Sequence, residues 1–190
     1  MHASAAALVA AVALCLSAVA PCTAVLDIPL TNPSFETGDL TGWTTAGEAT
    51  EVTVFNVTGA DLFVGDAISD GTNVAGIVRK TDVDLYQSLS DLYTAFRTHR
   101  FSCFVGEAID NSGPDMRPLS MELRRADTNA VLASTTITDV DVDNGFMYLF
   151  SVEYTAPFAL NGVEIRVGFS SSVTGKIAYV DDCSLITFIE

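Results

Sequence analysis

The chain has 190 residues, with 24 acidic against 9 basic side chains and a formal net charge of −15. That balance argues against a nucleic-acid or anionic-lipid partner, because like charges repel. It fits a soluble extracellular protein and carboxylate sites for a hard cation, although solubility alone accounts for most of the acids.

Residues Ala5 to Ala20 are almost all Ala, Val and Leu and carry no charge. The run has the length of a signal-peptide core and is short for a membrane span. Cys22-Thr23-Ala24 fits a small-x-small cleavage site, with Val25 as the first mature residue. A cut after Ala20 would place Pro21 just beyond it, and a buried N-terminal helix is the other reading. The expectation is a cleaved signal peptide over 1–24, one domain over 25–190, and a protein exported and released to the extracellular space. Cys103 and Cys183 then remain. In an oxidising compartment they either pair or stay as small core residues.

Beyond residue 25 the sequence consists of short segments with period-two apolar patterning. Val52–Val57 and Asn73–Val78 come first, and Leu85, Gln87 and Leu89 then share a face. Phe101, Cys103 and Val105 do the same, followed by Met121–Arg125 and Val131–Ile137. Phe150, Val152 and Tyr154 come next, then Val163, Ile165, Val167 and Phe169, and finally Ile177–Leu185. Turn signals separate them, among them Asp70-Gly71, Asn111-Ser112-Gly113-Pro114, Asn161-Gly162 and Thr174-Gly175. Nine or ten such strands predict an all-β antiparallel sandwich, with a closed barrel as the alternative. Only Asp91–His99 reads as a possible helical turn.

The opening Asn32-Pro33-Ser34-Phe35-Glu36, with Gly38 and then Gly42-Trp43, pairs with the closing Tyr179-Val180-Asp181-Asp182-Cys183-Ser184-Leu185. Asp70-Gly71-Thr72-Asn73-Val74-Ala75, Leu85-Tyr86-Gln87-Ser88-Leu89 and Phe101-Ser102-Cys103-Phe104-Val105 lie between them in order. This series, over roughly residues 28 to 186, resembles the galactose-binding-like jelly rolls, in particular the family-four and family-twenty-two carbohydrate-binding modules. Cys183 departs from the pattern, which usually has Val there. The resemblance implies a jelly-roll topology with first and last strands adjacent. It also implies a structural calcium ion held by Glu36, Asp70, the Asn73 carbonyl and Asp181, with Asp182 either a substitute ligand or a turn cap. Oxygen ligands of this kind suit calcium. In the same topology the Cys103 strand runs near the closing strand, so a disulfide between Cys103 and Cys183 becomes possible.

Other motifs are weaker. Asp139 to Gly145 imitates an EF-hand loop but has Asn144 where Gly belongs and Phe150 where the chelating Glu belongs, so it reads as a solvated turn. Asn56-Val57-Thr58 is a glycosylation sequon if the secretory route is eukaryotic, with Asn56 exposed near a strand end. His99 reads as a surface residue at a strand start, and no nucleophile or zinc motif stands out. Trp43 is the only Trp and reads as core. Tyr86 and Phe104 oppose their strands' apolar neighbours and could line a ligand-binding concave face, with packing as the alternative.

The leading expectation is therefore a secreted, non-catalytic carbohydrate-binding-module-like domain with structural calcium and an extracellular polysaccharide or glycan as partner. An extracellular structural or adhesive scaffold is the alternative. A third reading rests on Asp70 to Ala75 and Val131-Leu132-Ala133-Ser134, which also resemble exported calcium-dependent jelly-roll cyclases. Those use an acidic residue in an apolar pocket, so a deep apolar pocket holding one carboxylate with a raised pKa would favour that reading.

Overall fold

Strands that alternate apolar and polar residues can bury only one face each, and this chain satisfies them by packing two sheets face to face. The computed structural model describes residues 24–47, 52–57, 71–77, 83–109, 118–138, 141–143, 145–171 and 177–189. The expected signal segment up to residue 23, Asp70, and Asp139, Val140 and Asn144 of the EF-hand-like run lie outside them. The strands are β1 (Leu26–Ile28), β2 (Thr44–Ala46), β3 (Val52–Asn56), β4 (Asn73–Ile77), β5 (Val83–Leu92) and β6 (Thr98–Gly106). β7 (Leu119–Arg125), β8 (Val131–Ile137), β9 (Met147–Thr155), β10 (Glu164–Ser171) and β11 (Ala178–Phe188) complete the set.

The first sheet runs β3-β4-β11-β6-β9, and β1 also pairs with β11. The second runs β2-β5-β10-β7-β8. All pairings are antiparallel. This is the expected sandwich, with the first strand against the last. The segment expected as a possible helical turn is instead the end of β5, a tight turn and the start of β6.

The core lies between the sheets. Phe101, Cys103 and Val105 from β6 meet Leu85 from β5, Met121 and Leu123 from β7, and Ile165, Val167 and Phe169 from β10. Trp43 also joins it, 5.4 Å from the Phe35 ring, with its indole N–H donating to the Asn32 carbonyl. Gln87 is the polar exception on the inward face of β5. Its Oε1 accepts from the Thr31 amide at 2.8 Å, and its Nε2 donates to the Thr31 carbonyl at 2.9 Å. One side-chain amide thus satisfies both backbone groups of a loop residue that no strand pairs.

Cys103 and Cys183 form a disulfide with Cα atoms 4.1 Å apart. The bond closes a sequence separation of 80, a loop whose restriction stabilises the fold by about 2–4 kcal/mol in the chain-entropy account. Asn56 is exposed at the end of β3, as expected, and its Nδ2 donates to Asn73 Oδ1.

His99 corrects the sequence reading. It is 1% exposed, because period two in β6 carries it inward with Phe101. Its ring meets Tyr93 edge-on at 4.9 Å and is paired in register with Tyr154 and Thr187. Burial pushes its pKa below 6.5, the Arg97 charge adds to this, and backbone hydrogen bonding at Arg97 and Tyr154 acts in the opposite sense. A lowered folded pKa means that the unfolded chain takes the proton first. Stability from this group is complete above about pH 6.5 and is lost as pH falls towards the folded value. Denaturant unfolding between about pH 5 and 7.5 should show that loss, and His99→Phe should flatten its part of the dependence. Identical pH dependence in the two proteins would contradict the assignment.

Candidate functional site

The outward faces of the two sheets differ in chemistry. In β11, Ala178 and Val180 point into the core, so Tyr179 and Asp181 point out. Asp181 is paired in register with Phe104 of β6, and antiparallel partners share a face. On the other side Val180 pairs with Ala75, and one further step of that register brings Val74 of β4 beside Asp181. Val74, Tyr179 and Phe104 belong to a small second apolar cluster with Val57, Ala108 and Met147. Asp181 is wholly buried, and its Oδ1 accepts from the Asp182 amide at 2.8 Å, which orients the carboxyl group. Leu149, opposite Phe104 on β9, is 60% exposed, and Phe146 and Ile109 at the same sheet end are also exposed. An apolar rim thus borders a buried acid, the composition of a small-molecule site.

Three carboxylates among the described residues are buried: Glu107, Glu122 and Asp181. Glu107 continues the inward alternation of Cys103 and Val105. Glu122 is bonded by Arg124 and Ser170 on the outward face of the second sheet. Arg124 also reaches Asp84 and Asn129, and Arg166 bonds Ser88, Asn129 and the Ala126 carbonyl. That face is a network of compensated charge.

Tyr86 lies there, with the Arg166 guanidinium 4.4 Å from its ring centre. Phe104 lies on the outward face of the other sheet. The two aromatics expected to line one concave face therefore stand on opposite sides of the sandwich. The alternation of each strand was legible, but which sheet each strand joins was not.

Of the expected calcium ligands, Glu36 and Asn73 come together. Glu36 Oε1 accepts from the Thr72 amide at 2.9 Å and the Asn73 amide at 2.6 Å. Gly71 has φ +65°, and a Cβ there would lie 2.1 Å from Glu36 Cδ. The carboxylate therefore sits directly on the Gly71 backbone. Asp181 lies at the same end of β4 as Asn73, through its neighbour Val74. No group of three or more His, Cys, Asp or Glu among the described residues could hold a metal. The donors present are oxygens only, the chemistry of a calcium rather than a zinc site.

The sequence reading assigned Asp181 by its motif. It missed Val74 on the neighbouring strand and Tyr179 on the same face as companions of that acid. The available signal was the i, i+2 relation of Tyr179 and Asp181, interleaved with Ala178 and Val180.

Comparison with known proteins adds the family. The sequence profile of the HpiC1-like family, described as HpiC1 cyclase, matches residues 26–181. No curated protein matches the sequence. A Stig cyclase from Fischerella sp. TAU, solved with (3Z)-3-(1-methyl-2-pyrrolidinylidene)-3H-indole, is 15% identical with a TM-score of 0.75, covering 88% of this chain and 100% of that one. A Fischerella sp. TAU cyclase solved with 4-(1H-indol-3-yl)butan-2-one is 17% identical with a TM-score of 0.72, covering 87% and 99%. The CBM22-1 xylan-binding domain of Paenibacillus barcinonensis Xyn10C is 17% identical with a TM-score of 0.53, covering 83% and 92%. These likenesses establish the galactose-binding-like jelly-roll fold. The profile match overturns the leading expectation of a non-catalytic carbohydrate-binding module and favours the reading placed third. The motifs that suggested the module belong to the shared fold and do not separate its functions.

Glu36 and Gly71 are coupled by contact, which makes their energetics testable. Gly71→Ala adds a positive-φ penalty and displaces the Glu36 carboxylate, so it should cost about 1–3 kcal/mol in denaturant unfolding. In a Glu36→Ala background the cost should shrink to the backbone part, about 1 kcal/mol. Equal costs in both backgrounds would contradict the contact.

Proposed function

The chain belongs to the HpiC1-like family, and we propose that it is a small-molecule cyclase whose acid is Asp181, acting on an apolar, indole-bearing substrate at the outward face of the first sheet. The observation that carries this reading is the wholly buried Asp181 carboxyl between Phe104, Val74 and Tyr179. A buried carboxyl on the face that receives the ligand is placed to deliver a proton to it.

An acid-initiated ring closure needs only that proton and a face for the cation. The Asp181 proton adds to an alkene carbon of the substrate, and the alkene π pair forms the new C–H bond. The indole π pair then closes on the resulting cation and forms the ring C–C bond. Loss of a ring proton restores the aromatic system and returns a proton to the carboxylate. The sum is an isomerisation without oxidant or reductant. Aromatic side chains such as Phe104 stabilise the cation through the negative face of the ring, and the exposed rim of Leu149, Phe146 and Ile109 offers apolar contact to the remainder of the substrate.

Calcium belongs to this proposal as a structural ion. Glu36, Asp70 and the Asn73 carbonyl would hold it. Asp181 is assigned to the acid because it is buried on the outward face between the apolar strand partners Phe104 and Val74. An ion at that end would fix the loop that enters β4, beside Val74. The Cys103–Cys183 bond supports export to an oxidising compartment.

Binding of 4-(1H-indol-3-yl)butan-2-one, measured by calorimetry, tests the location. Phe104→Ala should weaken it about tenfold, the loss typical of one aromatic contact. Tyr86→Ala, on the other sheet, should leave it unchanged. Turnover of an indole-bearing alkene should fall about a hundredfold or more in Asp181→Asn. Sensitivity to Tyr86 with indifference to Phe104 would place the site elsewhere. For the ion, saturating calcium should stabilise the fold by about 2.7 kcal/mol at a hundred times Kd. Chelator should remove that gain, Glu36→Ala should abolish it, and Asp181→Asn should retain it. A melt indifferent to both calcium and chelator would remove the ion from the account.

A further inference from the structure

The outward face of the first sheet reads in rows across its strands. One row holds Phe55, Val74, Asp181, Phe104 and Leu149, from β3 to β9. The next holds Thr53, Gly76, Tyr179, Gly106 and Met147. On the far side of Asp181 the ladder is irregular. The following β11–β6 pair is Ser184 with Ser102, and a bulge at Asp182, φ +43°, intervenes. Asp181 therefore has Val74 and Phe104 beside it, Tyr179 two residues back on its own strand, and Gly106 diagonally across on β6.

Tyr179 stands between two glycines, and a glycine inside a strand often marks a place where another group comes close. The two places are filled differently. A Cβ at Gly76 would collide with Phe55 Cε2 and lie 2.8 Å from Phe55 Cδ2. The Phe55 ring rests there, with its centroid 5.6 Å from that of Tyr179 at 69°, an edge-on pair of rigid rings. A Cβ at Gly106 would collide with the Phe146 carbonyl oxygen and lie 2.9 Å from Met147 Cα and Cγ. The side chain against Gly106 is thus Met147, which is unbranched and adaptable. It comes from β9, the last strand of the sheet, where Phe146 and Leu149 are exposed.

Asp181 is 0% exposed, so a ligand meets it only after a side chain moves. Val74 is fully buried, Tyr179 is braced by Phe55, and Phe104 is a rigid ring. Among the described residues, Met147 joins a pliable side chain, a place diagonal to the acid and a path to the exposed rim. We infer that Met147 is the access-determining side chain of the site: a ligand reaches Asp181 by displacing Met147 from Gly106, into a space bordered by Tyr179 and Phe104. The inference rests on the reading of Asp181 as the acid and adds the entrance to it. Gly106 keeps that space usable, because any side chain of its own would stand between the rim and the acid. Phe55 is the fixed wall on the other side of Tyr179.

The test uses the purified full chain with Met147→Ala and Met147→Ile, the second being stiff at χ1. Two readouts are taken on folded protein. Stopped-flow mixing with 4-(1H-indol-3-yl)butan-2-one gives the association rate constant. Labelling with a water-soluble carbodiimide and an amine, located by peptide mass spectrometry, reports the accessibility of Asp181 without any ligand. Met147→Ala should raise the association rate constant and the labelling rate of Asp181 several-fold, and Met147→Ile should lower both. Labelling of Glu153, on the same face but away from Met147, should not change. Unchanged association and unchanged Asp181 labelling in Met147→Ala would overturn the entrance. If Met147→Ala does not fold, Met147→Ile carries the test, and native values of both rates there would overturn it equally. Faster Asp181 labelling in Met147→Ala, together with turnover of an indole-bearing alkene that is indifferent to Asp181→Asn, would instead overturn Asp181 as the acid and leave Met147 as its cover.

Discussion

The site depends on one extra residue in the last strand. A β-strand offers only two directions for a side chain, and β11 needs Val180, Cys183 and Leu185 inside the sandwich. Two of these are three apart in sequence, so the strand must gain a residue between them. The bulge at Asp182 supplies it. Core packing on one side and the acid on the other are thus satisfied by a single irregularity, and neither can change without the other.

The two outward faces then divide the chemistry. On the second sheet, Arg124 and Arg166 are met by Glu122, Asp84, Asn129, Ser88 and a backbone carbonyl. An apolar ligand there would have to displace satisfied polar groups, which is unfavourable. On the first sheet, Phe104 and Val74 flank Asp181, Tyr179 lies on the same face, and an apolar rim is exposed. An apolar ligand would gain burial there, beside the proposed acid. The entering loop supports this arrangement from beneath: Gln87 holds the Thr31 backbone, and Glu36 holds the backbone at Thr72 and Asn73.

The fold was largely legible because period-two patterning is local. Val131–Ile137 is observed as read, and most other strands differ only at their ends. The adjacency of first and last strands followed from the paired motifs at the two termini. His99 was misread because its charged neighbours Arg97 and Arg100 suggested exposure, whereas alternation within β6 turns it inward. The setting of Asp181 was hidden for a different reason. Its neighbours Phe104 and Val74 come from strands far away in sequence, and their common face is fixed only when the sheet order is known. The same motifs serve sugar-binding and ring-closing members of this fold, so the opening and closing segments identified the scaffold and left its chemistry open.

The most direct test is a crystal structure of the oxidised protein with bound 4-(1H-indol-3-yl)butan-2-one. The account predicts the indole ring packed on Phe104 and bordered by Leu149, with the Asp181 carboxyl within proton-transfer reach of the ligand. A ligand seated beside Tyr86 on the second sheet, or Asp181 turned into the core, would contradict it.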